Sequence, residues 1–306
     1  MRPLIIVTDP APLGDDAVAI ALLLAARSVD IKLIVATSGN VWAEEAALNA
    51  RRLVMLFGRD DIQLCVGRDL NTPTERHRVF MLASKANSAT HYVGALARPI
   101  PRTSDAFSYC DDLLESIRSA DRPDLLVIGP ATSLTPIINN ELANYVGRIF
   151  LMGGSIAGAG NATATAEFNF WFDPEAAEAL LGSNVPLTLL PLDAIRTLHY
   201  SQSFAATVNP HHPSARYILT SAGSVAPPPI CDELLAAVIV DPAIIAKSTE
   251  MRLTVETNPG PRYGAVAVLH GGSDRRPVEV IEKIDEARFW DVAKLLLAEG
   301  VLKLRK

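Results

Sequence analysis

Apolar and polar positions along this chain fall into short, mainly apolar runs separated by longer stretches of helical spacing. Leu4-Ile5-Ile6-Val7 gives way to Thr8-Asp9-Pro10-Ala11-Pro12-Leu13-Gly14-Asp15-Asp16, after which Ala17-Val18-Ala19-Ile20-Ala21-Leu22-Leu23-Leu24 restores the apolar character. A buried strand, Pro/Gly punctuation and an apolar helix open a parallel α/β unit. Further strand-like runs lie at residues 31–35, 62–66, 125–128, 148–152 and 187–190, with helical patterns over 43–57 and 108–119. This alternation predicts an α/β fold: a mainly parallel central sheet covered by helices, with the site at the carboxyl ends of the strands. Turn residues follow the strands at Ser38-Gly39-Asn40, Gly129-Pro130-Ala131-Thr132 and Gly153-Gly154-Ser155, and these turns are expected to converge on one crevice. Residues 71–103 and 208–229 are poorly periodic and resemble flaps. Strands over 253–256 and 265–269 and an amphipathic helix over 287–298 close the chain. With no internal repeat or linker, residues 1–306 read as one domain.

The first turn carries the strongest chemical signal. Asp9, Asp15 and Asp16 crowd one strand-to-helix connection, where like charges cost free energy unless a cation lies between them. Carboxylate oxygens are hard ligands and suit Ca²⁺ or Mg²⁺ rather than zinc. The competing possibility is helix capping by Asp15 and Asp16. Asp9 lies six positions earlier, across two prolines, and has no capping role, which favours the metal.

Composition narrows the partners. Of 306 residues, 49% are hydrophobic and 20% charged, so a large core is available. The net charge of −6 comes with no basic block or aromatic ladder, which argues against nucleic acid polymers as partners. No apolar run reaches membrane-spanning length and the four apolar residues before the acidic turn are too short for a signal peptide, so no membrane association is expected. Cys65, Cys110 and Cys231 are widely spaced and odd in number, which supports neither a disulfide framework nor a zinc site and suggests a reducing cytoplasm.

Read in order, several segments together resemble the inosine-uridine-preferring nucleoside hydrolase family. They are Thr8-Asp9-Pro10 with Asp15-Asp16-Ala17, Ser38-Gly39-Asn40-Val41, Gly129-Pro130-Ala131-Thr132-Ser133-Leu134 and Met152-Gly153-Gly154. Later come Gly160-Asn161, Ala166-Glu167-Phe168-Asn169, Asp173-Pro174-Glu175-Ala176-Ala177, Leu192-Asp193, Cys231-Asp232 and Val240-Asp241-Pro242. The resemblance implies hydrolysis of the N-glycosidic bond of small-molecule ribonucleosides by a water bound to Ca²⁺. Carried over residue by residue, it implies Asp9, Asp16, Asp232 and the main-chain carbonyl of Thr132 as metal ligands, and Asp9 as general base. It implies Asp15, Asn40, Asn161, Glu167 and Asn169 as ribose-binding residues, with Cys231 beside the substrate, and assembly as a homodimer or homotetramer.

Several of these residues also suit purely structural roles. Asn40 and Asn161 follow glycines and suit turns; Glu167-Phe168-Asn169 also reads as an exposed strand edge; Asp232 suits an N-cap. Asp173 is read as an N-cap before Pro174, and Asp193 is left open.

Two departures from the family pattern matter. The usual Asp-x-Asp-Pro-Gly-x-Asp-Asp allows two registers here. Counting back from Asp15 without a gap puts Ala11 at the base position, giving a catalytically impaired nucleoside or ribose binder. Keeping Thr8-Asp9-Pro10 together places a two-residue insertion before Asp15 and retains Asp9 as base, and this is the preferred register; Val7 then stands where the pattern has its first Asp. Second, Cys231 replaces a histidine that commonly protonates the leaving base, and a thiol is a poorer acid at neutral pH. His77, His91, His199, His211 and His212 lie in or near the flaps and none is assigned as the acid. Phe80, Tyr92 and Tyr217 are candidates to stack on the base. A Mg²⁺-dependent phosphotransferase is disfavoured because the acidic segment lacks a second Asp two residues on and the chain has no phosphate-cradling loop.

Overall fold

Successive residues of the first apolar run face opposite ways: Leu4 and Ile6 join one hydrophobic layer, Ile5 and Val7 the other. Both faces of this strand, β1 (Arg2–Thr8), are covered by helices, which is why its sequence runs apolar instead of alternating. A computed structural model of the chain describes residues 2–67, 94–97, 110, 112–138, 142–270 and 274–299. The expected flap over 71–103, with His77, Phe80, His91 and Tyr92, lies outside the described residues except for the turn Gly94–Ala97.

In chain order the next strands are β2 (Val29–Ala36), β3 (Gln63–Val66), β4 (Asp124–Val127), β5 (Ile149–Met152) and β6 (Leu187–Leu190). They are followed by β7 (Ile245–Met251), β8 (Leu253–Val255), β9 (Val266–Val268) and β10 (Val278–Ile284). Eight form one sheet in the order β3-β2-β1-β4-β5-β6-β10-β7, while β8 and β9 pair separately. All neighbours in the large sheet are parallel except β10 and β7. The chain runs outward from β1 through β2 to β3, then returns to the other side of β1 with β4. The strand order therefore reverses between β1 and β4, and the carboxyl ends of that pair form the crevice in which open α/β sheets bind ligands.

Helix Asp15–Ala25 packs against helix Asp232–Val240, two segments more than 200 positions apart, and both bury their aliphatic side chains, Val18, Leu22, Leu234 and Val238 among them, in one core cluster. Burial of each large aliphatic side chain in such a contact is worth about 1.5–3 kcal/mol. This packing brings the N-terminal ends of the two helices to the same crevice.

Helical patterning over 43–57 and 287–298 appears as helices Ala43–Leu56 and Glu286–Glu299. The segment expected over 108–119 is helical from Leu113 to Ser119, where Asp112 caps it by accepting from the Glu115 amide at 3.0 Å. The cysteine expectation is corrected: Cys65 and Cys110 form a disulfide, and only Cys231 is free. Cys110 lies beside the end of β3, its amide donating to the Val66 carbonyl at 2.9 Å, a proximity that their separation in sequence conceals. Stable disulfides are uncommon in reducing compartments, so this pairing runs against the cysteine argument for a cytoplasmic location. Among the described residues no helix is long and apolar enough to cross a membrane.

Candidate active site

β1 ends at Thr8, and the next residue, Asp9, is completely enclosed. Two glycines make room for it. A Cβ on Gly39, after β2, would collide with Asp9 Oδ2, and one on Gly129, after β4, would collide with Asp9 Oδ1. The Asn40 amide donates to Asp9 Oδ2, while Asp9 Oδ1 has no hydrogen-bond partner. Ala11, the alternative in the other register, packs beside Ala36 and Val41 in an apolar cluster. Leu13 is exposed, and Gly14 leads into the helix at Asp15.

Asp16 is equally enclosed. Its Oδ1 accepts from Thr8 Oγ1 at 2.5 Å and from the Asp9 amide at 3.2 Å, and its Oδ2 accepts from Asn40 Nδ2 at 3.1 Å. The N-cap position is Gly14, with no side-chain bond; Asp15, the first helical residue, accepts from the first-turn Asp16 amide through Oδ1 at 3.2 Å, whereas the Asp16 carboxylate turns away to Thr8, Asp9 and Asn40. Asp232 opens its own helix as the first helical residue, with Cys231 at the N-cap, so the N-cap role fails there.

Asp15, Asp16 and Asp232 bring one carboxylate oxygen each within 4.8 Å of one another. Asp9 stands beside this trio, linked to Asp16 through its amide. Burial, then the charges of Asp16 and Asp15, push the Asp9 carboxyl well above the usual carboxylate range. Burial and neighbouring Asp15 push Asp16 up to about 7, and burial with Asp15 and Asp16 drives Asp232 well upward. Burial also raises Asp15. Close-set acids that repel one another in a low-dielectric pocket are what a bound cation would neutralise.

Thr132 belongs to the short turn Ala131–Leu134 after β4. It is fully buried, its carbonyl accepts from the Thr135 amide at 3.2 Å, and its hydroxyl has no partner. The turn is tied to the end of β2 through Thr37, whose Oγ1 donates to the Pro130 carbonyl and accepts from Ser133 Oγ, each at 3.2 Å.

A cavity of about 260 Å³ opens next to the trio. Asp15, Asn40, Cys231 and Asp232 line one part of it, and Asn161, Glu167 and Asn169 another, with Ile128, Met152 and Phe168 supplying apolar surface. The structure therefore gathers every residue expected to bind ribose around one space. Glu167 and Asn169 are not on a strand edge: Glu167 caps the short helix Phe168–Phe172, accepting from the Asn169 amide at 2.8 Å and the Phe170 amide at 3.1 Å. It also accepts from the Gly154 amide at 2.9 Å. Asn169 Nδ2 donates to the carbonyls of Ile128 and Met152 at 3.3 Å, bridging the ends of β4 and β5. Asn161 Oδ1 accepts from the Phe168 amide at 2.8 Å. As expected, Asp173 caps the helix Pro174–Leu181, accepting from the Ala176 amide at 3.0 Å.

Burial, then Asp15 and Asp232, push the Cys231 thiol well above its usual range, so it stays protonated and donates to the Pro229 carbonyl. His212 is buried against Phe57, 5.8 Å between ring centres, and burial lowers it to about 4. His199 bonds the Pro228 carbonyl through Nδ1 at 3.0 Å. Neither histidine lines the cavity. Residues that sequence reasoning passed over include Thr8, which holds Asp16, and the apolar liners Ile128 and Met152; only the placement of Thr8 next to Asp9 hinted at its part.

A family model described as inosine-uridine preferring nucleoside hydrolase matches residues 4–291. Among curated proteins, the pyrimidine-specific ribonucleoside hydrolase RihA of Citrobacter koseri is 32% identical over 212 residues, covering 66% of this chain and 65% of that one. RihA of Photobacterium profundum is 36% identical over 196 residues, covering 63% and 61%. The chain thus spans just under two thirds of the length of these curated relatives. Among solved structures, the purine-preferring ribonucleoside hydrolase from Gardnerella vaginalis superposes with a TM-score of 0.78 at 21% identity, covering 98% of this chain and 99% of that one. The inosine-uridine preferring nucleoside hydrolase from Bacillus anthracis gives 0.75 at 22% identity, covering 98% and 100%. These two structures share the fold. Because the family match runs through β1, the acidic turn and the late helix that carries Asp232, this chain belongs to the inosine-uridine preferring nucleoside hydrolase family.

Proposed function

We propose that the chain hydrolyses the N-glycosidic bond of ribonucleosides to ribose and free base, with Ca²⁺ as its metal. The observation that carries this reading is the meeting of Asp15, Asp16 and Asp232 oxygens within 4.8 Å beside a cavity walled by amides and a carboxylate. The donor set fits the ion. It is all oxygen and mostly buried, and Asp9 Oδ1 is enclosed without a hydrogen-bond partner. Asp9, Asp16, Asp232 and the Thr132 carbonyl would hold Ca²⁺, with Asp15 near enough to join them. When bound, the ion would supply positive charge that neutralises the acids, lowers the pKa of nearby water and attracts a vicinal diol.

The chain's own residues account for the rest. Asp9 is the general base: it takes one proton from the attacking water as the oxygen bonds to C1′ and the C1′–N bond breaks, its electron pair leaving with the base. Its enclosure between Gly39 and Gly129 allows a single orientation, which is what a base acting on one water needs. Asn40 aligns this arrangement from both sides, its amide donating to Asp9 and its side chain to Asp16. Asp15, Asn161, Glu167 and Asn169 bind the sugar hydroxyls and hold the ring as positive charge builds on it. Cys231 lies in the wall as a neutral thiol, and no role as acid is given to it. We extend the reading to a homodimer or homotetramer, for which exposed Met55 and Leu56 on helix Ala43–Leu56 offer apolar surface; light scattering after size exclusion tests this.

The deciding experiment incubates purified protein and Ca²⁺ with a panel of purine and pyrimidine ribonucleosides and measures reducing sugar. Ribose release that EDTA abolishes is the expected result. Calorimetric binding of nucleosides without ribose release would overturn the hydrolase reading in favour of an impaired binder.

A further inference from the structure

Asp193, which the sugar chemistry does not use, lies just past β6 in the short turn Leu192–Ala194. Its carboxylate reaches across to the loop that leaves β5: Oδ2 accepts from the Ile156 amide at 2.8 Å and Oδ1 from the Ala157 amide at 3.0 Å. Arg196, three residues on, grips the same loop, with Nη2 donating to Ser155 Oγ at 3.1 Å and to the Ala159 carbonyl. Gly158 leaves space for this guanidinium, since a Cβ there would collide with it. Two residues beyond Ala159 the loop delivers Asn161 to the cavity wall. Residues 157–159 are exposed and bury no apolar side chain, so hydrogen bonds rather than packing set their path.

We propose that Asp193 is a positioning residue for substrate binding, fixing through the Ile156 and Ala157 amides the loop that presents Asn161 to the sugar. The inference rests on the ribose-binding reading of Asn161, yet its geometric part stands apart from it. A carboxylate that receives two adjacent amides holds that peptide in one orientation, and charge-assisted bonds of this kind are stronger than neutral ones. Arg196 secures the far side of the turn. Without Asp193 both amides turn to solvent and the stretch leading into Asn161 loosens, leaving Asn161 placed only from its far side, by its bond to the Phe168 amide and the Gly160–Ala164 and Ala162–Ala166 backbone bonds.

The test compares the wild type with Asp193→Ala and Asp193→Asn. Hydrogen exchange without ligand should show faster exchange confined to residues 155–161 in Asp193→Ala, with partial recovery in Asp193→Asn, which keeps one acceptor. Calorimetric Kd for a ribonucleoside, and KM where turnover occurs, should rise about tenfold in Asp193→Ala, with kcat falling less and Ca²⁺ affinity unchanged. Unaltered exchange over 155–161, unaltered Kd, or parallel loss of Ca²⁺ and of overall thermal stability would overturn the proposal. If the wild type binds a nucleoside without cleaving it, the hydrolase reading alone fails, and the exchange and Kd measurements still decide the role of Asp193.

Discussion

Stripped of divalent cations, this protein should lose stability as the pH rises from about 5 to 8, and Ca²⁺ should offset much of that loss. The magnitude follows from Asp16, whose carboxyl is pushed from 3.8 to about 7 by burial and by Asp15. In the folded, metal-free chain it keeps its proton until about pH 7, whereas in the unfolded chain it gives it up near 3.8. Between those values the folded state binds more protons than the unfolded state. Stability therefore falls with rising pH by about 1.4 kcal/mol per pH unit for this one group, about 4 kcal/mol between pH 3.8 and 7, of which about 3 kcal/mol falls between pH 5 and 7. Asp9 and Asp232 are raised in the same direction and add to the slope. Calcium competes with these protons, so its contribution grows as the carboxylates ionise; at one hundred times its Kd it contributes about 2.7 kcal/mol. The assay is thermal unfolding in EDTA and in excess Ca²⁺ at pH 5, 6, 7 and 8. Every other titrating group contributes to both series, so the difference between them isolates the acid cluster. That difference should widen steadily toward pH 8. Parallel curves would refute the reasoning, because they would mean that no cation replaces protons on these carboxylates.

Further outcomes follow from the same geometry. Asp9→Asn should lower ribose release by about 10²–10⁴-fold while its melting temperature in EDTA stays level or rises, since a buried acid is removed; turnover at the wild-type rate would shift the base elsewhere. Gly39→Ala drives a methyl group into Asp9 Oδ2 and the Pro130 ring, and should reduce kcat/KM by at least about a hundredfold, as expected for a displaced catalytic group. Replacing both Cys65 and Cys110 by Ser opens a loop of 45 residues and should cost up to about 4 kcal/mol of stability, read from denaturant melts. Ribonucleosides should be preferred to 2′-deoxyribonucleosides by about 10⁴-fold in kcat/KM, because the deoxy sugar leaves buried polar groups unpaired; comparable rates for both would contradict the diol-binding arrangement.

The sheet is legible in the sequence where strands are buried on both faces. β1, β4, β5 and β6 are built on apolar runs, with polar residues only at the ends of β1 and β4 and at Thr188 in β6, and their ends can be placed to within a residue or two. β7 and β10 escape such reading because their sequences, Ile-Ala-Lys-Ser-Thr-Glu-Met and Val-Glu-Val-Ile-Glu-Lys-Ile, carry charges. β7 is the exposed edge strand, where such charges discourage pairing with other chains. The acidic turn announces itself through charge density that capping does not account for. Glu167 and Asn169 mislead as to element: Phe168-Asn169-Phe170-Trp171-Phe172 lacks a helical polar face because every one of those residues is buried. The closeness of Asp16 and Asp232 comes from two helices that pack across more than 200 residues, and periodicity carries no record of such pairings; only the family resemblance joins them. The pairing of Cys65 with Cys110 is hidden for the same reason.

Glu167 answers to two masters. Its carboxylate gathers the amides of Gly154, Asn169 and Phe170, so one side chain welds the exit of β5 to the start of the next helix while also facing the cavity. With three lone-pair directions already committed, little acceptor capacity is left for a sugar hydroxyl, and that small remainder is aimed with unusual rigidity. Truncating this residue would unpick the scaffold and the contact together, so a loss of affinity there measures the collapse of a joint as much as the worth of a hydroxyl.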